Sequence, residues 1–252
     1  MSLTKKLQVS EFFYSLQGEG RSMGMPSVFI RLTGCNLLCG GMKTDKDKKL
    51  HDGATWRCDT IEVWKKGKAY TYEELINKMV EEIDFINKLE QGSHLIFTGG
   101  EPLLQQEDII GFLLYLRRHF ILMPCVEIET NGTIMPMFEL NVKVSYWNVS
   151  PKLLSSGMPS KRTTFADIIQ VFNALPTTIF KYVITSLEDV KHIDELVANG
   201  FMIKTKVWLM PAASNRDELY LRNEHVAAYA LSKGYNFCTR LQIEIWNQTT
   251  GV

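Results

Sequence analysis

Three cysteines stand in one stretch rich in glycine and lysine, "GCNLLCGGMKTDKDKKLHDGATWRCDT", as Cys35, Cys39 and Cys58. Thiolates are soft ligands, and a local set of them favours zinc or an iron–sulfur cluster. Spacing leaves both open. His51 lies between the second and third cysteines, so Cys35, Cys39, His51 and Cys58 would complete a Cys₃His zinc set that staples a loop. Three cysteines without His51 leave one iron of a 4Fe–4S cluster free of protein ligands, and an open iron suits catalysis better than stapling. A second candidate is "TGGEP", Thr98 to Pro102. Its two glycines let backbone approach a ligand, and their exposed amides can bind a carboxylate. Glu101 offers an acceptor suited to an ammonium group. Taken alone, the same five residues are a tight turn in which Pro102 opens the next helix.

Chemistry of this kind must be positioned by regular elements. Strand patterns fall at 27–32, 94–98, 125–130, 144–150, 179–184, 205–210 and 241–246. Helical patterns lie between them at 71–91, 106–120, 165–174, 188–198 and 215–233. The first is the clearest, with Thr71 and Glu74 forming a capping box and Leu75, Met79, Ile83 and Ile86 marking an apolar face. Alternating strands and helices predict an α/β fold with a parallel sheet, either a full or partial β/α barrel or an open doubly wound sheet. In both, the chemistry belongs at the C-terminal ends of the strands. "TGCNLLC", "GGEP", "NGT", "PKLLSSG" and "PAASN" each follow a strand pattern, so five strand ends converge on one expected site.

Composition excludes several function classes. The chain of 252 residues suits one domain, and 28 basic against 28 acidic residues give a formal net charge of 0. Nothing there attracts nucleic acid or a membrane in bulk. The most apolar run, "FLLYLRRHFILM", is broken by Arg117, Arg118 and His119 and is too short to span a bilayer. The N-terminal stretch lacks the apolar core of a signal peptide, so a cytoplasmic location is expected. An odd cysteine count of five argues against a disulfide framework. Cys125 and Cys238, in apolar strand-like contexts, read as buried structural thiols.

A cysteine set after one strand and GGEP after the next resembles the radical S-adenosylmethionine superfamily. In that superfamily three cysteines hold a 4Fe–4S cluster whose open iron chelates S-adenosylmethionine, and GGEP touches the methionine moiety. Reduction then cleaves the cofactor to methionine and a 5′-deoxyadenosyl radical. The motifs "EFFYSLQGEG", "FIRLTGCN", "CDT", "ETNGT" and "VSPK", in order from residue 11 to about 152, narrow the resemblance to the 7-carboxy-7-deazaguanine synthase family. "FKYVI" and "LMP" match more loosely. That family converts 6-carboxy-5,6,7,8-tetrahydropterin to 7-carboxy-7-deazaguanine by hydrogen abstraction, ring contraction and loss of ammonia, with magnesium, on the way to queuosine and other 7-deazapurines.

The resemblance implies a single radical S-adenosylmethionine domain over 1–252, of the partial (β/α)6 barrel kind, with 40–57 inserted in the cluster loop. Cys35, Cys39 and Cys58 would ligate the cluster, and Thr60 the magnesium. Gly99, Gly100, Glu101, Glu129, Ser150, Lys152 and Pro211 would bind S-adenosylmethionine. Gln17, Glu19 and Arg31 would bind the pterin, whose donor–acceptor edge and carboxylate suit an amide, a carboxylate and a bidentate arginine. A small-molecule substrate, a reductant such as flavodoxin or ferredoxin and a homodimer are implied, with no membrane or nucleic acid.

Two positions depart from the family pattern. The usual third cysteine would fall at Met42, so 40–57 must bulge out and bring Cys58 back. The histidine that relatives often carry in the final strand is matched in place by Trp246. A glycyl-radical activase, or a zinc-stabilised binding domain using His51, are the alternative readings.

Overall fold

The computed structural model describes residues 5–249 and 251. Nine strands, β1 (Lys6–Leu16), β2 (Pro26–Leu32), β3 (Lys68–Thr71), β4 (His94–Gly99), β5 (Val126–Thr130), β6 (Tyr146–Val149), β7 (Thr178–Ile184), β8 (Val207–Pro211) and β9 (Asn236–Phe237), form one sheet. Their order is β3-β1-β2-β4-β5-β6-β7-β8-β9. From β2 through β9 every pairing is parallel, while β1 pairs antiparallel with both β2 and β3. The fold is therefore α/β with a mostly parallel sheet. The sheet ends in two free edges, β3 and β9, rather than closing on itself.

Alternation along the parallel strands assigns their faces. Ile30, Leu32, Phe97, Val126, Ile128, Trp147, Val149, Phe180 and Tyr182 join one core with helix residues such as Leu75, Phe112, Phe172 and Ile193. Burying each such side chain stabilises the fold by roughly 1.5–3 kcal/mol. The intervening positions Arg31, Thr98, Glu127, Glu129, Asn148 and Lys181 carry the polar groups to the other face. Parallel pairing also lines up the C-terminal ends of β2 and β4 to β8, as the strand pattern requires.

Four elements differ from the sequence reading. "EFFYSL" belongs to an antiparallel strand, and Lys68–Thr71 adds another outside it. The helix read over 71–91 divides into Tyr72–Ile83 and Phe85–Glu90 at Asp84, which adopts φ 53°. "LQIEIW" alternates like a strand but is the helix Leu241–Trp246. There the Arg216 guanidinium satisfies the backbone carbonyls of Glu244 and Ile245, at 2.9 and 2.5 Å. With those carbonyls occupied the segment needs no ladder partner, so tertiary contacts override the alternation. Among the described residues, no helix is long and apolar enough to cross a membrane.

Candidate active site

The insert loops out and returns. The Cys58 amide donates to the Cys39 carbonyl at 3.1 Å, and the His51 amide to the Gly40 carbonyl at 2.8 Å. Gly41 holds the turn at φ +90°, and a Cβ there would lie 2.3 Å from the His51 carbonyl oxygen. The insert also docks on the segment after β6, through Gly40 N to Ser156 O at 2.8 Å and Thr55 N to Ser155 O at 2.9 Å. Cys35, Trp56 and Cys58 pack against buried Leu37, Cys39 and Met158. The three thiols thus share one small apolar cluster.

That donor set fits an iron–sulfur cluster better than a single metal ion. The three sulfurs do not form a group within 4.8 Å of one another among the described residues. Zinc with sulfurs at about 2.3 Å would require them under about 4 Å apart, whereas a cluster spreads its thiolates over separate irons. His51 is not part of the set, because its Nε2 pairs with Asp47 at 2.8 Å. The Cys₃His arrangement is therefore not formed. Burial pushes the Cys35 thiol up to about 11 and that of Cys39 up to about 12, with the Lys152 ammonium pulling both back. Lys152 donates to Ser150 Oγ at 2.9 Å and sits over the Trp56 ring.

GGEP supports the cysteine loop from below. A Cβ on Gly100 would lie 1.8 Å from the Gly34 carbonyl oxygen and 2.9 Å from Cys35 Cβ. A Cβ on Gly99 would meet the Leu32 backbone at 2.2 Å. Only glycine lets these two strand ends touch. Glu101 departs from its expected role as an open acceptor, being fully buried. Its carboxylate accepts from Thr130 Oγ1 at 2.7 Å, the Asn131 amide at 2.7 Å and the Leu103 amide at 3.0 Å. It ties the turn after β4 to the turn after β5. Asn131 continues outward, with Nδ2 2.9 Å from Asn36 Oδ1 and 3.9 Å from Cys35 Sγ.

Beside the thiols lies a half-buried polar network on the strand face opposite the core. Glu129 accepts from Gln17 Nε2 at 3.1 Å and Thr98 Oγ1 at 2.7 Å. Glu19 accepts from Lys181 Nζ at 2.5 Å, Arg240 Nε at 3.0 Å and Gln242 Nε2 at 2.7 Å. Burial opposes ionisation of Glu19, but Lys181 and Arg240 outweigh it and hold the carboxyl well below the usual range. Arg240 also reaches Asp59 at 2.8 Å, next to Cys58. Arg31 donates from Nε to Glu11 at 2.8 Å. Its other guanidinium nitrogens make no hydrogen bond among the described residues. Thr60 Oγ1 lies 3.3 Å from Cys58 Sγ, and Pro211 is buried at the end of β8.

Sequence reading missed Lys181, Arg240, Gln242, Asp59, Asn131 and Glu11. A charge inside an apolar run was the available signal for Lys181 in "IFKYVI". Gln242 reaches Glu19 from the helix Leu241–Trp246, where a strand was expected. Cys238 is buried as expected, but Cys125 is only half-buried, beside His94 and Glu127.

The family model of a 4Fe-4S single cluster domain matches residues 16–148. The 7-carboxy-7-deazaguanine synthase of Pyrobaculum aerophilum is 30% identical, covering 100% of this chain and 100% of its own. That of Halobacterium salinarum is 30% identical, covering 96% of this chain and 91% of its own. That of Rhodopirellula baltica is 30% identical, covering 97% and 88%. The crystal structure of QueE from Escherichia coli is similar in fold, with a TM-score of 0.59 at 23% identity and 94% of each chain covered.

Proposed function

The chain belongs to the 7-carboxy-7-deazaguanine synthase family, and from that premise we propose how its residues divide the conversion of 6-carboxy-5,6,7,8-tetrahydropterin to 7-carboxy-7-deazaguanine. It is a radical S-adenosylmethionine enzyme with a 4Fe–4S cluster. When bound, these cofactors supply the electron and the hydrogen-abstracting power that the ring contraction needs.

Cys35, Cys39 and Cys58 would hold the cluster. The return of Cys58 to Cys39 across the insert is the observation that carries this assignment. Gly99 and Gly100 would present backbone to the methionine end of S-adenosylmethionine, held close to the cysteine loop by their missing side chains. Glu101 would act from behind by fixing both turns. Glu129, Ser150, Lys152 and Pro211 would line the cofactor's other side. Thr60, a hard oxygen beside the last cysteine, would bind magnesium, which keeps most of its shell for substrate and water.

Gln17, Glu19 and Arg31 would read the pterin. Lys181 and Arg240 keep Glu19 ionised as an acceptor for the pterin N–H edge, and Gln242 orients it. The two unused nitrogens of Arg31 suit the substrate carboxylate. The open sheet is read as an incomplete barrel forming one domain. A low-potential reductant of the flavodoxin or ferredoxin kind and a homodimer complete the proposal.

Anaerobic turnover of the carboxypterin by reconstituted protein tests the assignment. Product and 5′-deoxyadenosine should form with the parent and disappear with Cys39→Ala or Cys58→Ala. Full turnover by Cys58→Ala would remove Cys58 from the cluster.

A further inference from the structure

At the opposite end of the same strands lies a second cluster of metal-ligating groups. His94 opens β4, Cys125 immediately precedes β5 and Glu127 is its second residue. The register pairs Leu95 with Val126, and the Leu95 amide donates to the Cys125 carbonyl at 2.8 Å, so His94 and Cys125 are level. Cys125 and Glu127, two apart on extended chain, point to the same face. A ligand atom from each of the three lies within 4.8 Å of the other two.

We propose that His94 Nδ1, Cys125 Sγ and Glu127 Oε1 form a binding site for zinc or a similar borderline dication. Nitrogen, sulfur and carboxylate oxygen together select such ions over magnesium or calcium. Imidazole and carboxylate already meet at 2.5 Å. Zinc at about 2.0–2.1 Å from each would part them to roughly 3.3 Å, a shift of under about 1 Å. Glu127 is fully buried, and its second oxygen accepts from Asn148 Nδ2 at 2.8 Å. That is the outer hydrogen bond that orients a ligating carboxylate. A dication with one thiolate and one carboxylate leaves the site neutral. The partly exposed rim at His94 and Cys125 leaves a fourth position for water.

Distance separates this site from the radical chemistry. His94 lies four residues before Thr98 on β4, about 13 Å at strand rise, and Glu127 two residues before Glu129 on β5, about 7 Å. The ion would therefore clamp the beginnings of β4 and β5 rather than touch substrate. The site does not depend on the reading of the cysteine loop.

Cluster-reconstituted protein, given zinc and dialysed, tests the proposal by metal content and zinc-edge X-ray absorption. One zinc per chain should remain beside the iron, with a single sulfur neighbour at about 2.3 Å and the rest nitrogen or oxygen. Cys125→Ser and His94→Ala should lose the zinc while keeping the iron. Cys125→Ser is nearly isosteric, so an unchanged melting temperature without zinc shows it folded. Absence of retained zinc in the parent, zinc that persists in folded Cys125→Ser, or a shell of three sulfurs would overturn the site.

Discussion

The amide of Cys58 is hydrogen-bonded to the carbonyl of Cys39 at 3.1 Å, although the whole charged insert separates them in sequence. The insert is closed at its base, so its outer residues are free of the cluster. His51 is the test of that freedom, since it pairs with Asp47 rather than with a thiol. His51→Ala should leave iron per chain and 5′-deoxyadenosine release unchanged. A halved iron content would restore histidine to the metal site.

Gly100 is wedged against the Gly34 carbonyl, where a Cβ would lie at 1.8 Å. Gly100→Ala must push the cysteine loop off the end of β4. Overpacking of this kind costs about 1–3 kcal/mol. We expect a lower melting temperature together with poorer iron retention after reconstitution. Stability lost with iron retention intact would show that the loop moves as a rigid unit.

Glu19 stays ionised in the fold well below its ordinary 4.5. As pH falls below 4.5, the unfolded chain takes up a proton that the folded chain still refuses. Its contribution is therefore full above 4.5 and is lost progressively as acid approaches the folded value. Urea unfolding at pH 7 and again near pH 4 should show a drop in stability for the parent that is smaller in Glu19→Gln. Equal drops would mean that other carboxylates dominate acid sensitivity.

Gln242 donates to Glu19 at 2.7 Å from the helix Leu241–Trp246. Gln242→Leu removes one charge-assisted hydrogen bond, of the class worth about 1.5–3 kcal/mol. KM for the carboxypterin should rise roughly tenfold or more. Slow 5′-deoxyadenosine release without substrate should not change. An equal fall in that background release would place Gln242 with the cofactor.

Among the described residues Arg31 makes a hydrogen bond through Nε alone, to Glu11, and the proposal gives its other two nitrogens to the substrate carboxylate. Arg31→Lys replaces a planar fork with a point charge. Binding of the carboxypterin should weaken, while a pterin analogue lacking the carboxylate should bind parent and variant alike. Equal losses for both ligands would move Arg31 to a purely structural role.

The sequence made the repeating strands, their polar C-terminal turns and the three cysteines legible, because alternation and ligand chemistry are local signals. The antiparallel β1 was hidden because its residues served as a motif before the first expected strand. Arg240, Gln242 and Lys181 were hidden for another reason: their meaning lies in a shared partner, Glu19, far away in the chain. The helix at Leu241–Trp246 illustrates the same limit, since Arg216 from another helix caps two of its last carbonyls. Glu101 was located by its motif, but only its three buried donors reveal which way it faces.

Arg240 joins Glu19 after β1 to Asp59 in the cysteine loop, and it follows all nine strands in the chain. During synthesis the thiols, the glycine turns and Lys181 all emerge before it. Until residue 240 arrives, Glu19 has Lys181 as its one cation partner and nothing ties it to Asp59. The bridge from the residue after β1 to the cysteine loop can therefore close only once the strands of the sheet have already been made.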